Sequence, residues 1–572
     1  MIRSSRAALP PALVSLLVGL ITVPLIVPLG PAISAARAVA APAAQVALEP
    51  AVEPEVDPTV EPAVAPAVAP AVAPADRISG IDRYGTAIAA SQRAFPAGST
   101  PSTVYLAAGL TYPDAIAAGP VATAAGAALL LTESTRLTPS VEAELRRLDP
   151  DNIVIVGGAG VIAPAVQSSA QLIAPTTRVG GADRYATAEQ LVRSVFERPG
   201  APQVYLATGA SFPDALAAGP AAGSIGAPVV LVDGSRPALS EVALALLADL
   251  EVESITIVGG TGVISAGIAA QLSTLLGSSA VTRAGGADRY ATAIAVNQQA
   301  FGAPSGGVFV ASGFGFADAL SISVYAAQQG RPLYLSVPYC APDAVRSTLS
   351  SSAVTALTLV GGPGSIGASV GRLDPCLSIS TSTSPWVLVN KKRPLPIGYV
   401  PSSLRLPAVP SANGQPMRSD AATALERMVA AAKSAGAGQL GLLSGYRSAS
   451  TQALIYNRIV ASHGQAYADS YVARPGHSEH QTGLAADLYP IGTPGCSTTT
   501  CLGSTPQGRW LAANSWRYGF ILRYEVGQTA VTGYSPEIWH YRWVGTSLAA
   551  DYRASAAKNL ELFLGAGAAP GY

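Results

Sequence analysis

The chain has 572 residues, too many for one hydrophobic core, and a prior of about 100–200 residues per domain suggests roughly three to five domains. Charged residues make up only 12% of it, with 35 Lys+Arg against 35 Asp+Glu. That balance excludes the basic excess expected of a nucleic-acid binder.

The N-terminus reads as a targeting segment. Arg3 and Arg6 precede an apolar run from Ala7 to Ile33, and Ala38-Val39-Ala40 offers small residues for cleavage, so residues 1–40 are expected to be a signal peptide. The rival is a membrane-anchoring helix, which Pro10, Pro11, Pro24, Pro28 and Pro31 interrupt. No later stretch is long and apolar enough to cross a bilayer, so no stable transmembrane segment is expected after processing. Residues 41–75 repeat Val-Glu-Pro, Val-Asp-Pro and Ala-Val-Ala-Pro, the composition of a disordered, semi-rigid linker.

Three internal repeats follow, at 76–175, 176–280 and 281–378, with a period of about 100 residues that marks whole domains. Arg77-x-x-Gly80-x-Asp82-Arg83-Tyr84-x-Thr86-Ala87 returns at Arg178–Ala188 and Arg283–Ala293. Tyr112-Pro113-Asp114-Ala115 returns at Phe212–Ala215 and Phe316–Ala319, and Ile153–Gly158 at Ile255–Gly260 and Leu357–Gly362. Short apolar runs alternate with helical patterns, which implies parallel strands buried on both faces of an α/β, Rossmann-like module. Asp114 and its equivalents sit where a strand hands over to a helix, so capping is their expected role. Asp82, Asp183 and Asp288, with Arg83, Arg184 and Arg289, serve either as structural pairs or inter-module contacts, or as ligand contacts. Over residues 76–378 the signatures resemble cell wall binding type 2 modules. The resemblance implies three like modules in a triangle, held non-covalently on anionic secondary wall polymers of a bacterial wall, with those six residues as candidate polymer contacts. The glycine-rich strand ends such as Val156-Gly157-Gly158 are a second candidate docking point.

Four cysteines suit an exported protein. The pairing that stays within domains joins Cys340 to Cys376 and Cys496 to Cys501; a cysteine metal site is the rival, although the spacings match no zinc motif.

A Ser/Thr-rich connector at 379–385 leads to a last domain at 386–552, followed by a tail at 553–572. Ser419 or Asp420 caps a helix that runs to about Ala435, and Leu425, Met428, Val429 and Ala432 form its packing face. A strand at Leu440–Leu443 delivers Ser444-Gly445-Tyr446-Arg447-Ser448 into a turn. The chain has only 4 histidines. One lies in Ser478-Glu479-His480-Gln481-Thr482-Gly483-Leu484-Ala485-Ala486-Asp487 and one in Glu537-Ile538-Trp539-His540. Two imidazoles and two carboxylates are the parts of a hydrolytic zinc centre, three holding the ion and one moving protons.

With Leu388-Val389-Asn390 and Trp539-His540-Tyr541-Arg542, these motifs resemble the VanY-type D-alanyl-D-alanine carboxypeptidases, zinc peptidases that trim peptidoglycan stems. The resemblance implies an α+β domain with an antiparallel sheet and Zn2+ on His480, Asp487 and His540. Glu537 is the general base and then acid, lying in the turn before its strand. Arg447 stabilises the oxyanion and anchors substrate, and Ser478 hydrogen-bonds the substrate's C-terminal end. The expected reaction removes the terminal D-alanine from D-Ala-D-Ala stems by a secreted enzyme. The alternatives are a peptidoglycan endopeptidase with the same centre, and a wall-bound adhesin or surface-layer protein whose peptidase is inactive. His477 is the nearest rival ligand, and His463 reads as a surface residue at a helix end. Arg542 is either a partner of a ligand or an exposed strand charge, and Arg523 supports the sheet or the substrate. Glu525-Val526-Gly527-Gln528 lacks the lysine often found there in the family.

Overall fold

The computed structural model describes residues 75–572 apart from 197–199 and 352. The leader expected at 1–40, and nearly all of the linker expected at 41–75, lie outside them. Three four-stranded parallel sheets come first, followed by a four-stranded antiparallel sheet. Among the described residues no helix is long and apolar enough to cross a membrane.

The strands of the repeats are β1 (Asp76–Ile78), β2 (Thr103–Ala108), β3 (Ala128–Thr132), β4 (Asn152–Val156), β5 (Thr176–Val179), β6 (Gln203–Thr208), β7 (Val229–Val232), β8 (Ser254–Val258), β9 (Val281–Ala284), β10 (Gly306–Ser312), β11 (Leu333–Ser336) and β12 (Val354–Val360). β3, β7 and β11 are buried at every residue although each ends its sheet, and the central strands are buried along most of their length, as the apolar runs require. Sheet order is β3-β2-β4-β5, β7-β6-β8-β9 and β11-β10-β12-β1. Each sheet therefore takes its fourth strand from the start of another repeat. β5 and β9 open the second and third sequence repeats but pair in the sheets of the first and second. β1 opens the first repeat and pairs in the sheet of the third. The exchange closes a ring.

The recurring arginine of each opening strand makes the same contact at each junction. Arg178 donates to the Gly157 carbonyl at 2.8 Å, Arg283 to that of Gly259 at 2.7 Å, and Arg77 to those of Gly361 and Ile366. At the middle of the ring the helices Ala118–Ala124, Pro213–Ser224 and Ala317–Gln328 pack together. Small residues permit this: a Cβ on Gly119 would lie 2.5 Å from Ser323 Oγ. Tyr112, Phe212 and Phe316 meet there with ring centroids 5.3, 6.0 and 6.1 Å apart.

Asp114, Asp214 and Asp318 are not caps, contrary to expectation. Neither the Pro213–Ser224 nor the Ala317–Gln328 helix has a side-chain cap. The carboxylates instead reach across the junctions to Thr187, Thr292 and Thr86, and burial raises the pKa of all three. Capping falls to the other aspartates. Asp82 accepts from Gly85 N, Asp183 from Tyr185 N and Ala186 N, and Asp288 from Tyr290 N and Ala291 N. Arg83, Arg184 and Arg289 donate to the carbonyls of Gly109, Gly209 and Gly313.

In the last domain a short ribbon, β13 (Leu404–Arg405) with β14 (Met417–Arg418), precedes the helix Ser419–Ser434. The antiparallel sheet has the order β15 (Gln439–Ser444), β16 (Ala485–Ile491), β18 (Glu537–Trp543), β17 (Phe520–Tyr524). Leu425, Met428 and Ala432 of the helix pack with Leu440, Leu442, Leu484, Ala486, Leu488 and Tyr541 in one core. The connector does not leave this domain free. Trp386, Leu388, Val544, Leu548, Tyr552, Leu560 and Leu564 share a buried cluster with Tyr339 and Cys340 of the third repeat. Asp551 accepts from the amides of Ala368 and Ser369. Cys340 is bridged to Cys376, and Cys496 to Cys501.

Replacing Arg77 by Ala removes a guanidinium bonded to two carbonyls at the ring closure, and is expected to cost about 1.5–3 kcal/mol. Thermal unfolding should come earlier, and hydrogen exchange should speed up at the Gly361 amide, which donates to Ile78. Unchanged exchange there would show that the closure carries no weight.

Candidate functional site

Strand register assembles the centre. Asp487 lies opposite His540 across β16 and β18, and opposite Ser444 across β15 and β16. Alternation sends Leu484, Ala486 and Leu488 into the core and Asp487 to the other face. His480 comes from a tight 3-10 turn, Glu479–Thr482, that ends at Gly483 with φ 68°. A side chain there would be strained and would press on Arg418 N at 3.0 Å, so the turn depends on this glycine. Arg447 follows β15, and its amide donates to the His480 carbonyl at 3.2 Å.

Three donors converge. His480 Nε2 lies 3.1 Å from Asp487 Oδ2, and His540 Nδ1 lies 3.1 Å from Asp487 Oδ1. The ligand atoms all fall within 4.8 Å of one another, on three buried residues. The other ring nitrogens are turned to acceptors: His480 Nδ1 is 2.7 Å from the Gly445 carbonyl, and His540 Nε2 is 3.4 Å from Glu479 Oε2. A proton on each of those outer nitrogens leaves two lone pairs and a carboxylate aimed at one point. These three residues would fit a zinc-type ion, which two imidazoles and a carboxylate can hold.

The electrostatics agree. Burial opposes charge on His540, but the hydrogen bonds to Asp487 and Glu479 outweigh it and raise its pKa to about 9. Burial also raises Glu537 to about 7. Its Oε2 lies 3.6 Å from His540 Nδ1. Glu537 is the first residue of β18, opposite Tyr524, rather than in the turn before the strand.

A cavity of about 190 Å3 brings together His480, Asp487, His540, Glu537, Arg447 and Ser478, with Gln452, Tyr471, Tyr524, Tyr534 and Trp539 also in its wall. Arg447 NH2 stands 3.9 Å from Asp487 Oδ2, and Arg447 Nε is buried with no hydrogen-bond partner among the described residues. Burial lowers its pKa despite Asp487 and Glu537. A guanidinium held this way has capacity for an anion from outside. His477 is not in the group: its Nδ1 lies 2.9 Å from the Asn390 carbonyl and its ring meets Tyr572 edge-on. His463 is exposed at its helix end, stacked on Tyr467.

Behind the centre lies a set of charges that sequence reasoning left open or missed. Arg523 and Arg542 are both 0% exposed. Each donates to Glu479 Oε1 at 2.9 Å, so neither is an exposed strand charge nor a lining residue of the cavity. Glu479 had no assigned role. The available signal was a carboxylate directly beside a candidate ligand in a chain that uses few charges.

Residues 77–167, 178–269 and 283–371 match the cell wall binding domain 2 (CWB2) family model, and residues 414–546 match the VanY D-alanyl-D-alanine carboxypeptidase model. The putative carboxypeptidase YodJ of Bacillus subtilis is 38% identical over 185 residues, 32% of this chain and 67% of that protein. The N-acetylmuramoyl-L-alanine amidase LytC of B. subtilis is 28% identical over 290 residues, 50% of this chain and 55% of that protein. The chain thus spans roughly half to two thirds of these curated relatives. A solved variant of the vancomycin resistance D,D-pentapeptidase VanY from a VanB-type cassette, in complex with Zn(II), is 34% identical, with 31% of this chain and 97% of that one covered and a TM-score of 0.27.

Elemental analysis of the purified chain is expected to find about one transition ion per molecule, the capacity of one such donor set. His480→Ala and His540→Ala should each abolish retention after chelation and reloading. An ion retained at full stoichiometry in both variants would assign the ligands elsewhere.

Proposed function

The chain belongs to the VanY D-alanyl-D-alanine carboxypeptidase family, with three cell wall binding domain 2 repeats ahead of that domain, and from this premise we propose that it is a wall-held zinc carboxypeptidase. It removes the terminal D-alanine from peptidoglycan stem peptides ending in D-Ala-D-Ala. One observation carries the reading: the candidate ion ligands, a carboxylate with a raised pKa and an incompletely bonded guanidinium all line the same small cavity.

Zinc held by His480, Asp487 and His540 would supply Lewis acidity to the scissile carbonyl and the attacking water. Glu537 accepts a proton from that water as its oxygen adds to the carbonyl carbon. It returns the proton to the leaving amine as the C–N bond breaks, giving free D-alanine and the shortened stem. Burial disfavours the charged carboxylate of Glu537, which favours its taking up the proton before handing it on. Arg447 pairs with the substrate carboxylate and the developing oxyanion, since its Nε has no hydrogen-bond partner among the described residues. Ser478 hydrogen-bonds the C-terminal end of the stem.

The repeats hold the enzyme on anionic secondary wall polymers, outside the cell after loss of the leader. Arg83, Arg184 and Arg289 are candidate contacts. Two of them stand over axial rings, Arg184 5.9 Å from the Tyr112 centroid and Arg289 6.0 Å from that of Phe212.

The full-length chain should release D-alanine from a synthetic pentapeptide stem. Glu537→Gln is expected to lower kcat by about a hundred- to ten-thousand-fold while keeping its zinc. Cleavage confined to cross-linked or internal bonds would mean an endopeptidase, and no cleavage of either substrate would mean a decayed site. For the repeats, the chain should sediment with purified walls and lose binding once their anionic polymers are stripped; equal retention on bare peptidoglycan would contradict the polymer assignment.

A further inference from the structure

We propose that Glu561, beyond the matched peptidase segment, is a positioning residue of the ion centre: through Arg523 it fixes the charge and orientation of Glu479, which holds the outer nitrogen of His540. The proposal rests on the reading of His480, Asp487 and His540 as a zinc site.

Four side chains form a closed set. Glu479, Arg523, Arg542 and Glu561 are each 0% exposed, two negative and two positive. Glu561 binds Arg523 through a fork, NH1 to Oε2 at 3.0 Å and NH2 to Oε1 at 2.6 Å. The remaining Arg523 Nε donates to Glu479 Oε1 at 2.9 Å. Arg542 NH1 donates to the same Oε1 at 2.9 Å, and its NH2 to the carbonyls of Pro385 and Val387. Both arginines therefore hold one oxygen of Glu479, and the other faces His540 Nε2 at 3.4 Å.

That arrangement sets how basic a ligand His540 is. An outer carboxylate fixes the tautomer and strengthens the imidazole as a donor. How much of the Glu479 charge reaches His540 depends on what else draws on it. With Glu561 in place, the terminal nitrogens of Arg523 are neutralised by their own carboxylate. Without that charge the set is net positive, and two buried guanidiniums compete for Glu479 alone. Packing by itself does not call for a carboxylate here, since a fully buried charge is disfavoured unless it is paired.

Glu561 is held in place from several sides. It lies on the helix Leu560–Phe563, whose first turn is capped by Asn559, and Asn390 Nδ2 donates to its Oε1 at 3.3 Å. The helix sits against the third repeat: Tyr339 donates to the Leu564 carbonyl at 3.1 Å, and its ring lies 5.0 Å from that of Phe563.

The test measures zinc affinity of the full-length chain by competition with a chromogenic chelator, alongside thermal unfolding of the metal-free protein. Glu561→Gln keeps the shape and removes the charge. It is expected to raise the zinc dissociation constant by about ten- to hundred-fold, with KM for a stem pentapeptide unchanged at saturating zinc. The double variant Arg523→Gln/Glu561→Gln restores neutrality, leaving Arg542 on Glu479, and should bind zinc more tightly than the single variant. If the single variant does not fold, the neutral double variant must still hold zinc within about tenfold of wild type, the mild end of outer-shell effects. Zinc affinity within about twofold of wild type in Glu561→Gln, or a double variant weaker than the single, would overturn the proposal. A wild-type chain that binds zinc but releases no D-alanine would refute the carboxypeptidase reading and leave this one standing; a wild-type chain that binds no zinc would overturn both.

Discussion

The pairing of Asp487 with His540 across two neighbouring strands is the constraint on which the rest of the site depends. Period-two alternation means that a one-residue slip of either strand would send its donor into the core and the neighbouring Leu488 or Tyr541 into the cavity. The apolar residues between these donors therefore secure the convergence of Asp487 and His540. His480 is added by a turn whose left-handed glycine can take no side chain without strain. Behind this row a neutral set of four buried charges carries the outer side of His540. Breaking such a set by removing one partner typically costs about 3–5 kcal/mol, because the charge left behind is uncompensated.

The repeats follow a different physical logic. Their helices meet at the middle through alanine, glycine and serine, so close approach and not bulk fills that region, and three aromatic rings close it. Strand exchange makes each unit incomplete without a neighbour. A long chain of small residues with few charges thereby becomes a ring, and the last domain is joined to it by a shared apolar cluster and by Asp551 on the amides of Ala368 and Ser369.

Much of this was legible in the residues. The repeat signatures and buried strand runs gave three parallel α/β modules, and the spacing of His480, Asp487, Glu537 and His540 marked out a group that the strands bring to one cavity. Such motifs are readable because the chemistry sits within short stretches whose local geometry is regular. The strand exchange was not readable, since a repeat looks the same whether its first strand joins its own sheet or another. The same limit misassigned Asp114, Asp214 and Asp318, whose partners lie across a junction that sequence does not reveal. Arg523 and Arg542 stayed ambiguous because an arginine on a strand can be buried only if carboxylates meet it. Those carboxylates, Glu479 and Glu561, come from a turn and from a segment read only as a tail.

The proposed function depends on zinc bound by His480, Asp487 and His540. Anomalous diffraction at the zinc edge, from crystals of the full-length protein, tests it most directly. One strong peak between His480 Nε2, His540 Nδ1 and the Asp487 carboxylate is expected. A peak at His477 or at the cysteines, with none between those three residues, would contradict it.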